Sequence, residues 1–274
     1  MTNRDKSSKL KIYENDNRNE NLLYSENGVD GFLSAAHLLK DNNRIEKFST
    51  GSSSLDNILG GGIEIGSITQ FYGGPGSGKS QICLTACALI QKNYNSFYVD
   101  TESKFRPERI EQIAEERGRM SHDILKNIYT SNPINSQEME ASIEQILQFR
   151  GSNGVFKLLI IDSLINHLRI EYPGRSQLPL RQQKINLLMG KLQKIAQEKK
   201  IAVIITNHIQ ADPTPNFSSY DVVPTGGNII NYASTHIVRL RKTSDYTNAS
   251  LIKSNYLASN ESYFTINKKG IDDI

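Results

Sequence analysis

The segment Gly73-Gly74-Pro75-Gly76-Ser77-Gly78-Lys79-Ser80 follows an apolar run, Ile68 to Tyr72, and opens a helical stretch, Lys79 to Lys92. It matches G-x-x-x-x-G-K-[ST] in the context that gives the pattern its mechanism, a strand passing through a glycine loop into a helix N-terminus. Glycines let successive backbone N–H groups curl around phosphate oxygens, and the helix adds positive partial charge at the same point. Lys79 is then placed to reach the β- and γ-phosphates of a nucleoside triphosphate, and Ser80 to meet a magnesium ion. A glycine-rich turn that binds nothing is the alternative, and pattern and context together speak against it.

Such a loop needs a sheet behind it, and the chain supplies the pieces in alternation. Ser96–Asp100, Lys126–Thr130, Phe156–Ile161 and Ile201–Thr206 read as further strands. Between them lie helices at Pro107–Arg117, at a stretch opened by the capping-box pair Asn135 and Glu138, and at Leu180–Lys199. The runs at Phe156 and Ile201 are continuously apolar, as central parallel strands covered on both faces must be. The expected fold is α/β, a mostly parallel twisted sheet with helices on both faces and ligands at the carboxyl ends of its strands. His236–Lys242 and Tyr263–Asn267 are expected to add a short antiparallel C-terminal extension.

A chain of 274 residues holds one such domain and tails. Residues 1–30, with Asn15, Asn17, Asn19 and Asn21 and few apolar side chains, are expected to be a disordered tail. Residues 31–47 form a short amphipathic helix and a polar linker, and 48–274 the core. The net charge of +3 is too small to make the whole molecule attract polyanions, so any nucleic-acid contact must come from a local basic patch. Cys83 and Cys87, one helical turn apart, are expected to be buried thiols in a reducing compartment. With no secretory pattern and no apolar run near the roughly 18 residues of a membrane span, an intracellular soluble protein is expected.

Triphosphate hydrolysis asks for two carboxylates, one beside the metal's water shell and one to polarise the attacking water. Asp162 closes the run Phe156–Ile161 and is the metal-side candidate; Glu102 follows Phe97-Tyr98-Val99-Asp100-Thr101 and is the candidate general base. Singly, each is also what an acid looks like where a strand surfaces. With the glycine loop upstream, the pair reads as catalytic.

Taken in order, the segments resemble the RecA-like recombinases of archaea and eukaryotes, of the RadA type. The likeness rests on Ser49-Thr50-Gly51 through Asp56, the loop with Gln81-Ile82-Cys83, and Tyr98 through Arg109. It continues in Ile161-Asp162-Ser163, Arg169 through Arg175, Arg181-Gln182-Gln183-Lys184, Ile204-Ile205-Thr206-Asn207 and Thr225-Gly226-Gly227-Asn228. The resemblance implies a RecA-like P-loop NTPase core and a DNA-dependent ATPase that uses ATP and Mg2+. It implies a homo-oligomer, helical filament or ring, on single-stranded DNA that is paired with double-stranded DNA, with other recombination proteins as candidate partners. Gln81, Asn207, His208 and Lys253 fall at its nucleotide-side positions, and Arg109 at the position that stacks on adenine.

Arg169, Arg175 and Arg181 recur every six residues around Pro173-Gly174 and Pro179, and are expected to share one irregular loop that grips the DNA backbone. Ile209 to Gly227, with Pro213, Pro215 and Pro224, is expected to be irregular and matches the family's second DNA loop. Phe32 and Ala35 fit the F-x-x-A segment that links subunits head to tail; a helix packed on its own domain is the alternative.

Three departures from the family pattern stand out. Only about thirty polar residues precede the linking segment, so the family's helix-hairpin-helix domain is expected to be missing. His208 stands where Gln is usual, which puts the coupling of nucleotide and DNA in question. Lys253 stands where the family has Asp, and an ammonium there is expected to replace a carboxylate-held monovalent cation at a neighbour's γ-phosphate, removing any need for potassium. A mediator paralogue that binds ATP and DNA and assists a full-length recombinase, without exchanging strands itself, remains the alternative function. A prokaryotic source would make the location cytoplasmic and nucleoid-associated.

Overall fold

Strands rich in Ile, Val and Leu line up side by side in the computed structural model, which describes residues 34–35, 45–90, 94–150, 154–211 and 222–274. Residues 45–274 form one compact unit. Among the described residues its main sheet has nine strands. Strand β3 (Ile68–Gly73) lies between β10 (His236–Lys242) and β7 (Ala202–Asn207), and beyond β7 come β6 (Val155–Asp162), β4 (Tyr94–Asp100) and β5 (Ile128–Ser131). These six run parallel. On the far side of β10, β11 (Thr247–Ser254), β12 (Glu261–Asn267) and β13 (Gly270–Asp272) are antiparallel. A separate two-stranded ladder joins β1 (Lys47–Phe48) to β2 (Ile63–Glu64).

The period of two along each strand sorts its side chains into two cores. Phe71, Tyr98, Leu158, Ile160, Ala202 and Ile204 face α1 (Ser53–Ile58), α2 (Lys79–Ile90) and α3 (Pro107–Glu116). Val99, Leu159, Ile161, Val203 and Ile205 face α5 (Ser136–Gln148), α6 (Asn166–Glu171), α7 (Leu178–Lys199) and α8 (Asn228–Ala233). A short helix, α4 (Ser121–Leu125), follows α3. Cys83 and Cys87 are fully buried in α2 as small hydrophobes. From β3 the chain crosses through α2 to β4, passing over β7 and β6, which leaves a crevice at the carboxyl end of β3.

The far C-terminus is pinned to α1. Asp273 accepts from Ser52 Oγ at 2.6 Å and from the N–H groups of Ser53 and Ser54 at 3.0 and 2.9 Å. Burial pushes its carboxyl up, but these hydrogen bonds outweigh it and hold the group below the usual carboxylate range. A depressed carboxyl stabilises above its unfolded-state pKa and stops doing so as pH falls through its folded value. Asp273→Ala is therefore expected to cost about 1 kcal/mol in urea unfolding at pH 7. The difference from wild type should shrink on acidification.

Several expectations need correction. His236–Lys242 belongs only half to the antiparallel extension: β10 pairs antiparallel with β11 as expected, but its other edge pairs parallel with β3, so it joins the extension to the parallel sheet. Arg169, Arg175 and Arg181 do not share one loop. Buried Leu168 draws the first stretch into α6, which carries Arg169, and Pro179 sits in the first turn of α7, where its missing N–H costs nothing, so Arg181 is helical. Arg175 alone is left in the turn between them. The segment after β7 is not wholly irregular, because β8 (Ile209–Ala211) pairs antiparallel with β9 (Val222–Pro224) and Pro224 ends the ladder. At the start of α5, Asn135 accepts from the Glu138 N–H as expected, but Glu138 reaches back to the Ile134 N–H instead of that of Asn135. Most of segment 31–47, Phe32 included, and residues 1–30 lie outside the described residues.

Candidate active site

The glycine loop leaves β3 at Gly73, where a Cβ would stand 2.4 Å from Leu240 O and 2.6 Å from Ser77 Oγ. Only glycine lets the loop press against β10 there. Gly78 takes φ +94° on entry to α2, a conformation L side chains rarely adopt. Inside the curl, Lys79 donates to Gly73 O and Gly74 O, each at 2.9 Å. Burial lowers its ammonium's pKa, while the nearby carboxylates of Asp162 and Glu102 pull the other way. The ammonium is thus stored on loop carbonyls that an arriving phosphate can replace.

Residues 158, 160 and 162 share the α2 face of β6, which aims Asp162 at the loop. On the flanking strands, Tyr98 of β4 donates to its Oδ2 at 2.9 Å and Thr206 of β7 to its Oδ1. Both partners lie at or near strand carboxyl ends, so the carboxylate is held at the mouth of the crevice. Burial and the neighbouring Asp162 charge raise the Tyr98 hydroxyl pKa well above its ordinary value, which keeps that hydroxyl a donor. With half-buried Ser80, this gives one hydroxyl and one oriented carboxylate, oxygen donors only. Among the described residues no group of three His, Cys, Asp or Glu side chains is placed to hold a metal. That set suits a hard cation such as Mg2+, which keeps most of its waters and takes few protein ligands.

Glu102 follows β4 and meets three donors. His208 Nε2 lies 2.8 Å from Oε1, Ser163 Oγ donates to Oε1 at 3.0 Å, and Lys104 Nζ lies 2.6 Å from Oε2. The His208 hydrogen bond, against the opposing effect of burial and with help from Lys104 and Ser163, holds the carboxyl far below its usual range. Thr101 links the two acids' strands, donating to Ser163 O at 2.7 Å and accepting the Ser163 N–H at 2.9 Å. The Asp162–Ser163 peptide is cis.

His208 also begins the β8–β9 hairpin. Asn207 accepts the His208 N–H at 2.8 Å and donates to Thr225 O at 2.6 Å, while the Thr225 N–H donates to His208 O at 2.9 Å. Asn207 therefore closes the hairpin's base with both ends of its amide.

On the other flank, Arg109 Nε donates to Gln81 Oε1 at 2.9 Å, and Arg109 Nη2 to Asn267 O at 2.6 Å. These two sequence candidates are brought together beside α2. Lys253 Nζ donates to Asn231 O and Ser234 O at 2.7 and 3.0 Å, capping the negative end of α8. Arg169 and Arg175 are exposed, whereas half-buried Arg181 donates to Tyr172 O at 3.2 Å and braces the turn. Glu171 ties that region to α5, accepting the Ser136 N–H at 2.6 Å. Ala35 is exposed.

Tyr98, Ser163, Thr206 and Lys104 lie in the segments that carry the resemblance, but the sequence assigns them no part in the site. Thr206 carried the same signal as Asp162, a polar residue closing an apolar strand. Lys104 carried none, since nothing in its spacing marks a lysine two residues past an acid as its partner. Among the described residues no helix is long and apolar enough to cross a membrane. The family model for Rad51 matches residues 41–274.

Proposed function

Because the chain belongs to the Rad51 family, a recombinase family of DNA recombination and repair, we propose that it is an ATP-dependent recombinase. In this reading it assembles on single-stranded DNA and pairs it with a homologous duplex. One observation carries it: the 2.8 Å contact between Glu102 Oε1 and His208 Nε2 joins the water-polarising carboxylate to the base of the β8–β9 hairpin, so one side chain belongs to both sites.

Lys79 moves from its loop carbonyls to the β- and γ-phosphates of ATP, and Ser80 and Asp162 hold the Mg2+ side. The bound cation neutralises charge on the phosphate oxygens. Glu102 orients the attacking water and takes its proton. Gln81 and Arg109 flank the nucleotide's far end. Arg169 and Arg175 supply exposed, bidentate backbone grips, and Arg181 keeps the turn between them in shape. Because sequence is read by base pairing between strands, such contacts need no base preference.

Head-to-tail growth needs a socket. A recess of about 210 Å³ opens beside edge strand β5, lined by Phe97, Tyr129, Gln145, Ile146 and Phe149. Its apolar, aromatic wall suits a phenylalanine, and Phe32 of another copy, with Ala35 three positions on in the sequence, is the proposed occupant.

Changing Arg169 and Arg175 together to Ala should reduce the slope of log affinity against log salt by about 1.4, roughly 0.7 per lost single-strand contact. Fluorescence anisotropy of a labelled oligonucleotide across a salt series measures this. A mediator paralogue is the second reading, favoured by the occupation of both Glu102 oxygens, which restrains hydrolysis. Incubating purified protein, ATP, single-stranded DNA and a homologous supercoiled duplex separates the two. Joint molecules with this protein alone support the recombinase. Joint molecules only after adding a full-length recombinase support the mediator.

A further inference from the structure

The donors around Glu102 come from separate parts of the fold. Lys104 lies on the short segment between β4 and α3, which Asp100 anchors by accepting the N–H groups of Glu102 and Phe105 at 3.1 and 2.7 Å. The Lys104 side chain is 69% exposed and reaches from solvent to a carboxylate that is 15% exposed. His208 instead opens the hairpin, on the opposite side of the same carboxylate. Displacing the hairpin takes His208 from Oε1. The Lys104 contact with Oε2 depends on nothing in the hairpin.

We propose that Lys104 is a positioning residue for hydrolysis: its ammonium holds Oε2 and so fixes the carboxylate's orientation, leaving Oε1, once His208 withdraws, as the oxygen that meets the attacking water. This rests on the assignment of Glu102 as the base under the proposed function. In the step it serves, the water oxygen bonds to the γ-phosphorus and the bond from that phosphorus to the β–γ bridging oxygen breaks. The bridging electrons leave with ADP, and the water proton passes to Oε1. Ser163 Oγ keeps one lone pair of Oε1 occupied at 3.0 Å, so with Lys104 on Oε2 the carboxylate is held at both ends and presents the remaining lone pair of Oε1 in a single direction, whereas with Ser163 alone it pivots about that oxygen.

The remaining charged groups near Glu102 act through space. Lys79 feels its charge, and Asp162 and Asp100 add negative potential at Lys104. With His208 gone, Lys104 is the cation still within hydrogen-bonding distance among the described residues. Its loss should therefore let Glu102 bind protons more readily.

The test is DNA-stimulated ATP hydrolysis from about pH 3 to 9, a window that reaches below the ordinary carboxyl range, for wild type, Lys104→Met and Lys104→Arg, alongside binding of a non-hydrolysable ATP analogue. Lys104→Met should move the acid limb of kcat up by about one pH unit, as expected on losing a close opposite charge. It should also lower kcat several-fold with KM and analogue affinity unchanged, and Lys104→Arg should restore both. An acid limb that stays in place, or an effect confined to KM, overturns the proposal. Glu102→Gln separates the two levels. If it is inactive while Lys104→Met matches wild type, only the role of Lys104 falls. If it turns over normally, the base assignment falls and takes this proposal with it.

Discussion

A Lys79→Ala protein is expected to lose ATP binding by at least about 100-fold and, with it, every effect of nucleotide on DNA affinity. The magnitude comes from deleting an ammonium that makes at least two charge-assisted hydrogen bonds to phosphate, each contributing roughly 1.5–3 kcal/mol. No other side chain can take its place, because the loop's remaining donors are backbone N–H groups and hydroxyls. The fold should survive. The lysine donates to the carbonyls of Gly73 and Gly74 and, at 3.5 Å, to Ser77 Oγ, all within its own loop, so its removal leaves the sheet and both cores in place. Calorimetric titration with an ATP analogue and a thermal melt monitored by circular dichroism read the two expectations separately. Retained affinity, or a collapsed melt, would contradict them.

Glu102→Gln should have the second largest effect and a different signature. The amide keeps the size of the carboxylate and an oxygen to accept from His208 and Ser163, so the loop and the nucleotide affinity should be preserved within a few-fold. It cannot take a proton from water, and turnover should fall by about 10²–10⁴-fold. A low pKa does not disqualify this group as the base in wild type. His208 is the largest contributor to the depression, so under the proposed withdrawal of the hairpin the carboxylate that meets water is more basic than the one in this arrangement. Quenched-flow measurement of a single turnover, with analogue binding measured in parallel, separates loss of chemistry from loss of binding.

The parts of this site legible in the sequence were those that obey local rules. The glycine loop, Asp162 and Glu102 each lie where an apolar run meets polar residues, and a strand end can be read from a few neighbours. The parts that were not legible depend on which strands lie side by side. Tyr98 looks like an aromatic core residue until β4 is placed next to β6, and Thr206 becomes a partner of the Asp162 carboxylate only because β7 flanks β6 on the other side. Strand order is a long-range property that periodicity does not encode. The basic segment departs from its sequence expectation for the opposite reason. Pro173, Gly174 and Pro179 are local loop signals, yet the burial of His167 and Leu168 and the tolerance of a first helical turn for proline outweighed them. In β8 and β9 the prolines again marked a boundary of the ladder instead of its absence.

His208 supplies the juxtaposition on which the proposed coupling rests. A side chain at the hairpin's base can respond to whatever the hairpin touches, and its contact with Glu102 gives that response a chemical consequence. Since coupling is reciprocal, nucleotide that draws Glu102 and His208 into a new arrangement must change the hairpin's affinity for its ligand by the same factor that the ligand changes nucleotide affinity. The most direct measurement is the affinity of the wild-type protein for a labelled single-stranded oligonucleotide, at fixed salt, without nucleotide and with saturating non-hydrolysable ATP analogue. The expected result is a tightening of about tenfold or more, a coupling of about 1.4 kcal/mol, that disappears in Lys79→Ala. Equal affinities with and without the analogue in the wild-type protein would contradict the account.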